Sequence, residues 1–370
     1  MDLRPYKRVE ETNKKMKRVE DQSRISKLPD SLLILILSLL PTKDAFTTSV
    51  LSKRWEHLWP SIDSFFFSCK DKSQRKNFIS FVDYVLDHST CSKIKNFHLN
   101  FTHLSKYEQR VGFVDDIVDF TISRWVPTNE IHMRMTSLIT LDLTCCILDK
   151  EVVIEWKSLK TLRLNDITLD DDGIVNILSG CPALEILEFL EFSGFRHMEI
   201  SSSNLKRLKF ENHLSYYNSD DLSLDIFTPH VQHLEISRYM YDLKCRLVNV
   251  SSLVSAKLTF QMNWTWFDQG PDEHQVIKIL IEDYLQKLRN ATELTFGTCF
   301  IEDIVTTLSA SPNPGVSNGQ GLPIQNIVRV VLLFTPCQSN HISDYPSLSQ
   351  PQKSHPLIGI FDWVIRLRSS

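Results

Sequence analysis

The stretch "LKTLRLNDITLDDDGIVNILSGCPALEILEF", residues 159–189, contains two copies of one apolar pattern with a helix-like segment between them. In each copy, apolar residues recur at every second or third position, which is typical of a strand with one buried face. Between the copies, Asp170 or Asp171 can cap a helix that carries the apolar residue Ile174. The stretch therefore predicts a strand, a helix and a second strand that form one unit.

The same pattern recurs along the middle of the chain. Six copies have as their central apolar residues Leu141, Leu162, Leu187, Leu208, Leu234 and Ala256. Neighbouring centres are 21 to 26 residues apart, within the period of about 20 to 29 residues that leucine-rich repeats show. Weaker copies at residues 94–99 and 291–296 extend the series. Because one repeat cannot bury its apolar face alone, the series predicts a stacked α/β solenoid with helix-like segments between the strands.

Two regions interrupt this regularity. "EIHMRM" (residues 130–135) leaves ten residues between two candidate strand centres, so we expect that a return segment is missing there. After Ile301 the periodicity stops, and residues 311–356 hold seven of the 15 prolines, which is typical of linkers and disordered segments. The apolar residues 357–368 are either a cap over the last repeat or a loosely attached tail.

A second apolar feature, "SLLILILSLL" (residues 31–40), precedes the repeats. It has about half of the roughly 20 residues that a membrane-spanning helix needs. Pro29 and a capping Asp30 before it, and Pro41 after it, indicate the helix of a soluble protein. A helical wheel places apolar residues on every side, and Ser38 is the one polar notch. The wheel predicts one face formed by Leu33, Ile36, Leu37 and Leu40, widened by Leu32 and Leu39, with Ile34 and Leu35 on the far side.

Two further short helices are expected in "PTKDAFTTSVLSKRWEHLWP" (residues 41–60), the first of them capped by Thr42. Three short helices make a very small module, which cannot cover every side of its first helix. The surplus apolar surface must therefore meet another protein or the rest of the chain. The alternative is that the first helix lies at the centre of a larger core.

Residues 25–59, "ISKLPDSLLILILSLLPTKDAFTTSVLSKRWEHLW", resemble the F-box of plant proteins. The resemblance lies in Leu-Pro, Leu-Leu, Ile-Leu-Ser-x-Leu-Pro, Thr-Lys-Asp, Ser-Val-Leu-Ser-Lys-Arg-Trp and Leu-Trp, which occur here in order. Residues 90–300 are similar to the leucine-rich repeats of plant F-box proteins. The resemblance implies a small N-terminal three-helix F-box that docks on the Skp-type adaptor of a cullin-RING ubiquitin ligase, followed by a solenoid that binds a protein substrate. Ser31 and Leu35 depart from the usual acidic residue and Lys, and make the first helix more apolar.

Carried over to this chain, the resemblance implies an adaptor-facing set formed by Leu28, Pro29, Ile36, Leu37, Leu40, Pro41, Val50, Leu51 and Trp55. Lys53 and Arg54 lie on the same module, with a less defined role. The expected substrate contacts are the outward strand residues Asp142, Arg163, Glu188, Lys209, Glu235 and Lys257. Their mixed signs favour a charged or polar protein surface over lipid or nucleic acid.

These features predict four segments. We expect a charged, disordered tail at residues 1–24, the F-box at 25–60, the solenoid at 61–300, and an atypical, partly disordered segment at 301–370 in place of the further C-terminal domain of many relatives. Because the first segment has no apolar signal region, we expect the protein in the cytoplasm, the nucleus or both.

Several other functions are disfavoured by the composition. A net charge of -4 gives no general attraction to nucleic acid or to a membrane, and eight dispersed cysteines without a CxxC pair predict reduced thiols and no zinc module. The residues 170–172, His230 and His233 do not have the spacing of a metal site. No P-loop, dinucleotide fingerprint or GxSxG elbow occurs. We therefore expect no metal, no cofactor and no catalytic activity.

A rival interpretation is a stand-alone leucine-rich-repeat scaffold, not engaged in a ligase, whose F-box-like helices only cap the solenoid. A capping unit needs a polar outer face. The residues expected on that face are instead Leu32, Ile34, Leu35 and Leu39. The scaffold therefore ranks second to the ligase adaptor.

Overall fold

The structure is a computed structural model that describes residues 25–101, 135–145, 155–194, 197–212, 224–239, 245–261, 279, 283–297, 329–333 and 363–365. Its first part contains three short helices, α1 (Asp30–Leu37), α2 (Thr42–Thr47) and α3 (Lys53–Leu58). Two longer helices lie in the repeats, α4 (Arg75–His88) and α5 (Asp171–Gly180). The three-helix module that the sequence predicts is confirmed.

The rest of the described chain is built on parallel strands. In chain order they are β1 (Ser64–Ser68), β2 (Asn96–Asn100), β3 (Thr140–Thr144), β4 (Thr161–Thr168), β5 (Ile186–Ser193), β6 (His197–Glu199), β7 (Arg207–Asn212), β8 (Leu224–Phe227), β9 (His233–Tyr239), β10 (Cys245–Asn249), β11 (Ser255–Gln261), β12 (Glu293–Gly297), β13 (Arg329–Leu333) and β14 (Trp363–Ile365). Within the described residues, eleven of them form one sheet in the order β1-β2-β3-β4-β5-β7-β9-β11-β12-β13-β14. This arrangement confirms the predicted α/β solenoid.

The six predicted strand centres occupy one row of this sheet. Leu162 lies opposite Leu141 on one side and Leu187 on the other, and the same register continues to Ala256. All six side chains are buried. Burying a leucine stabilises the folded chain by about 1.5 to 3 kcal/mol relative to leaving it exposed, so the repeat spacing is held by the core that it builds.

The break expected before the Leu141 repeat does not occur in the sheet, although residues 130–134 of "EIHMRM" lie outside the described residues. Strand β2 pairs directly with β3, with Phe97 opposite Leu141, so no further strand lies between them in the sheet. Met135 is helical and buried.

The helix expected between strands is present after β1 and after β4, as α4 and α5, and is replaced by a strand after β5, β7 and β9. In α5, the side chain of Asp170 accepts a hydrogen bond from the Gly173 N–H at 2.9 Å, which confirms the predicted cap. After β5, β7 and β9, however, the chain continues through β6, β8 and β10, which pair in a second parallel sheet of order β10-β8-β6. Buried and more exposed residues alternate along β8 and β10, as strands with one buried face require.

The F-box module and the first repeat share one core. The ring of Phe46 packs edge-on against Trp59 and against Phe81 of α4, with ring centroids 5.1 and 5.7 Å apart. Thr42 does not cap α2 as predicted, because its Oγ1 accepts a hydrogen bond from the Phe66 N–H of β1 at 2.7 Å. The three helices are therefore anchored on the solenoid.

The sheet extends beyond Ile301, where the repeat pattern ends. Strand β13 pairs in parallel with β12, and β14 adds to β13 in antiparallel orientation. Of the two alternatives for residues 357–368, this pairing favours a cap over the last repeat, since β14 covers the hydrogen-bonding edge of β13.

Candidate functional site

Helix α1 has one side in the core and the other in solvent. Leu33 and Leu37 are fully buried. Ser38 is buried too, and its hydroxyl donates a hydrogen bond to the Ile34 carbonyl at 2.9 Å, so the predicted polar notch does not face solvent. The core thus covers only one side of α1, although apolar residues occur on all of its sides.

The solvent side of α1 and the turn after α2 carry large aliphatic side chains. Four of these side chains, on α1 and just after it, are each three or four residues from another of the four and therefore share one helical face. Two more lie at the end of the turn after α2. We call them the F-box apolar surface: Leu32, Leu35, Ile36, Leu39, Val50 and Leu51. Leu39 is 75% accessible and Val50 is 80% accessible. Apolar residues that are exposed together in one small module mark an interaction site, whereas scattered ones do not.

The predicted adaptor-facing residues fall into three classes. The exposed members are Pro29, Ile36, Pro41, Val50 and Leu51. The half-buried members, which pack against the core, are Leu28, Leu40 and Trp55. Leu37 is fully buried, so its side chain lies inside the domain and away from any surface that a partner could reach.

Three further apolar residues outside that predicted set are exposed beside its members. Leu32, Leu35 and Leu39 belong to the same helical face as Ile36, and all are exposed. Their spacing of three and four residues was visible in the sequence. The wheel alone could not assign the core side, because an all-apolar helix does not reveal which of its sides the core covers; of the residues expected on the outer face, Leu32, Leu35 and Leu39 are exposed.

The beginning of α1 is held by a charged residue from α3. Asp30 is the first helical residue and does not act as the predicted cap, since the N-cap position is Pro29. The Asp30 carboxylate accepts hydrogen bonds from the Arg54 guanidinium at 2.6 and 2.8 Å.

The six predicted substrate contacts come together in one row, which we call the charge row. They lie on consecutive strands of the large sheet, each in register with the next, in the order Asp142, Arg163, Glu188, Lys209, Glu235 and Lys257. All are partly exposed. Negative and positive residues alternate from strand to strand along the whole row.

Much of this charge is compensated within the chain. Arg163 donates a hydrogen bond to Glu188 at 2.7 Å, and Lys257 donates one to Glu235 at 2.7 Å. At the start of the row, the ring of His98 lies 3.4 Å from the Asp142 carboxylate. Opposite charges directly across neighbouring strands stabilise a sheet by about 0.2 to 1 kcal/mol each.

Lys209 occupies the middle of the row and has several acidic neighbours. Its partial burial works to lower its pKa, but the hydrogen bond that it donates to Glu211 and the nearby charges of Glu211, Glu235 and Glu188 outweigh burial. The pKa of Lys209 is therefore raised above its ordinary value. The sequence predicted which residues form the charge row but not that they pair with one another. The signal for this pairing was that charges of opposite sign alternate at the same position of successive repeats.

The alternation is repeated just before the strands. Glu185 lies between Lys160, at 2.9 Å, and Lys206, at 4.0 Å. The hydrogen bond and charge of Lys160, with a smaller effect from Lys206, hold the pKa of Glu185 below its ordinary value of 4.5. The outward face of the repeats is thus a charged surface whose members already have partners.

Other chemistry has little support in the described part of the chain. No group of three His, Cys, Asp or Glu side chains there is placed to hold a metal ion. His233 is hydrogen-bonded to the hydroxyl of Ser255 at 2.7 Å, and burial raises the pKa of the Cys181 thiol to about 12. None of the helices in the described ranges has the length and apolarity to span a bilayer.

Comparison with protein families identifies both parts of the chain. The F-box domain family matches residues 25–67, and the family of LRR repeats from the FBD-associated F-box protein At5g56370 matches residues 116–259. The first match contains α1 to α3 and β1 except its last residue, and the second contains β3 to β11 except the last two residues of β11.

Similar proteins are found in Arabidopsis thaliana. F-box/LRR-repeat protein At5g02910 is 30% identical over 75% of this chain and 60% of its own length. F-box protein At5g03100 is 30% identical over 75% of this chain and 90% of its own length. F-box/LRR-repeat protein 25 is 31% identical over 57% of this chain and 84% of its own length.

The chain spans less than two thirds of the length of the longer relatives that it matches. The match to At5g03100, in contrast, covers 90% of that protein. The chain therefore belongs to the plant family of F-box/leucine-rich-repeat proteins.

Proposed function

We propose that this chain is the substrate-recognition subunit of an SCF-type (Skp-cullin-F-box) ubiquitin ligase. In this proposal the F-box apolar surface binds a Skp-type adaptor, and the outward strand face, with the charge row at its centre, contacts a protein substrate. Membership in the F-box/leucine-rich-repeat family supports a non-catalytic adaptor of this kind.

The observation that carries the proposal is the exposed side of α1. A side chain such as Leu35, 58% accessible, gains nothing from solvent and would stabilise a complex if a partner covered it. No described residue covers this side, while the opposite side packs in the core. The surface therefore suits a partner with an apolar groove.

The contribution of the chain to ubiquitin transfer would be proximity. By holding the adaptor at one end and a substrate on the repeats, it would place a substrate lysine near the ubiquitin-loaded enzyme and convert an encounter in solution into a reaction within one complex. No side chain of this chain needs to take part in bond formation.

Co-expression of the full chain with a tagged Skp-type adaptor tests this function. We expect the wild-type chain to be captured in stoichiometric amounts. The double variant Leu35→Asp, Leu39→Asp should reduce capture by at least about 30-fold, the equivalent of one interface hot spot of about 2 kcal/mol. These positions are preferable to Trp55, because Trp55 packs against the core and its replacement would also affect folding.

Val175→Asp is the matched control, since Val175 is an equally exposed aliphatic residue, 61% accessible, on helix α5 of the repeats. It should leave capture unchanged. Capture of the double variant at the wild-type level would refute docking through this surface. A folded wild-type chain that captures no Skp-type adaptor would instead favour the stand-alone scaffold.

A further inference from the structure

Arg54 connects the beginning of α1 with α3. Its Nε and Nη2 donate hydrogen bonds to the same oxygen of Asp30, at 2.8 and 2.6 Å, and Nη2 also donates to the backbone carbonyl of Leu28. A guanidinium is suited to this role because its donors form a rigid fork that can hold two acceptors at once.

This contact adds support to the polar N-terminal end of α1, which the core does not cover. The helix has eight residues, its N-cap is Pro29, and no side chain caps it. A helix of this length is marginal on its own and depends on tertiary contacts. The core holds its buried side and the Leu28 side chain just before it, and Arg54 holds the Asp30 carboxylate and the Leu28 carbonyl.

The two parts of the F-box apolar surface lie on different elements. One part belongs to α1, and the other, Val50 and Leu51, directly precedes α3. Because Arg54 is in the first turn of α3, its contacts with Asp30 and Leu28 fix one part relative to the other. A surface that is ordered before binding loses less conformational entropy when the partner arrives.

We propose that Arg54 is a positioning residue for adaptor docking: its contacts with the Asp30 carboxylate and the Leu28 carbonyl hold α1 in the orientation that the adaptor binds. This inference rests on the proposed function. It assigns to Arg54 an effect on affinity that is transmitted through Asp30 and requires no contact between Arg54 and the adaptor.

Direct contact is the competing explanation, and it makes a different prediction. The side chains of Arg54 and Asp30 are 37% and 62% accessible, so a partner could reach both. If Arg54 touched an acidic group of the adaptor, its replacement would weaken binding whether or not Asp30 was present. If it acts by positioning, its replacement has a smaller effect once Asp30 is removed, because only the contact with the Leu28 carbonyl is then left to lose.

A double-mutant cycle with the full chain and purified adaptor separates the two. We expect Arg54→Met to weaken the affinity about fivefold, Asp30→Ala to weaken it by no more than this, and the double variant to bind no more weakly than Arg54→Met, because Arg54→Met already removes both contacts. Lys53→Met is the matched control: Lys53 is the exposed neighbour on α3, and its replacement should leave the affinity unchanged. Thermal unfolding of each variant ensures that the affinities compared are those of folded protein.

The reversed pair, Asp30→Arg with Arg54→Asp, adds a readout that a merely structural or a direct-contact role would not produce. It should recover part of the affinity, since the ion pair is rebuilt while the carbonyl contact is lost. Additive losses in the cycle, or an Arg54→Met variant that binds like the wild type, would overturn positioning while the proposed function stands. A wild-type chain that does not bind the adaptor would overturn both.

Discussion

The F-box apolar surface and the charge row are both accessible to solvent, but only the side chains of the charge row already have partners within the chain. Leu39 and Val50 have large accessible areas with no cover among the described residues, whereas Arg163 and Glu188 in the charge row bind each other. Covering an apolar side chain is a net gain of about 1.5 to 3 kcal/mol. A partner at the charge row must first disturb ion pairs that already exist.

In the proposed function, this difference gives the two regions different roles. Affinity should come from the F-box apolar surface, and the charge row should contribute selectivity and the register of the repeats. Alternating signs favour each strand next to its proper neighbours, because a repeat that skipped one position would bring Asp142 opposite Glu188 and Arg163 opposite Lys209. The predictions that follow test this division, beginning with the largest expected effect.

Two leucines on α1 should separate stability from binding. Leu37→Ala removes a fully buried side chain, so the free energy of unfolding should fall by about 2 to 5 kcal/mol. Leu35→Ala removes an exposed side chain and should change this free energy by less than about 0.5 kcal/mol. Adaptor affinity, measured on folded protein, should depend on Leu35 and much less on Leu37. Equal losses of unfolding free energy, measured by chemical denaturation, would show that Leu35 is already covered in the free chain.

Charge reversal within the charge row should show that each residue interacts with its neighbours on both adjacent strands. Glu188→Lys places a positive charge between Arg163 and Lys209 and should destabilise the chain by about 1 to 2 kcal/mol. Adding Arg163→Glu should not restore stability, because the new Glu then lies opposite Asp142 while the new Lys remains opposite Lys209.

The pair Asp225 and Arg246, on the second sheet, provides the control for this experiment. These residues also lie opposite each other and form a two-bond ion pair, with His197 as the further neighbour of Asp225 on that sheet. Exchanging Asp225 and Arg246 should retain most of the stability. Equal recovery from both exchanges would contradict the interpretation of the charge row as a continuous ladder.

The smallest effect is expected at Glu185. Lys160 lowers the pKa of Glu185 below its ordinary value of 4.5. The ionised carboxylate therefore stabilises the folded chain at pH values above 4.5. This stabilisation is lost as the pH falls through the lower pKa of the folded state. Lys160→Gln should raise the pKa of Glu185 toward 4.5, as followed by NMR titration of its carboxyl group. Lys157→Gln should leave it unchanged, because Lys157 pairs with Glu155. A Glu185 pKa that is the same in both variants would contradict the pairing.

The repeat region could be predicted from the sequence wherever a long pattern was available. Six copies at a constant phase define the register from Leu141 to Ala256, and the charge row follows from the same phase, since each of its residues comes directly after a strand centre. The connections were less predictable. Helix α5 has a capping Asp170 and a helical period, whereas β8 and β10 are short alternating segments whose period of two is easily missed.

The sequence predicted that the F-box module has an exposed apolar surface, but not which side of α1 forms it. The apolar excess of α1 required cover on more than one side, and the structure leaves one side exposed. Which side this is depends on Phe46, Trp59 and helix α4, which place the module on the first repeat. The role of Arg54 depends on the fold as well, because its contact with Asp30 joins residues 24 positions apart.

The most direct test of the F-box apolar surface is a calorimetric titration of the full chain with a purified Skp-type adaptor at several temperatures. Burial of exposed leucines predicts one-to-one binding with a negative heat-capacity change, and Leu35→Asp with Leu39→Asp should abolish the heat of binding. Binding with no heat-capacity change, or unaltered binding of the double variant, would contradict docking through this surface.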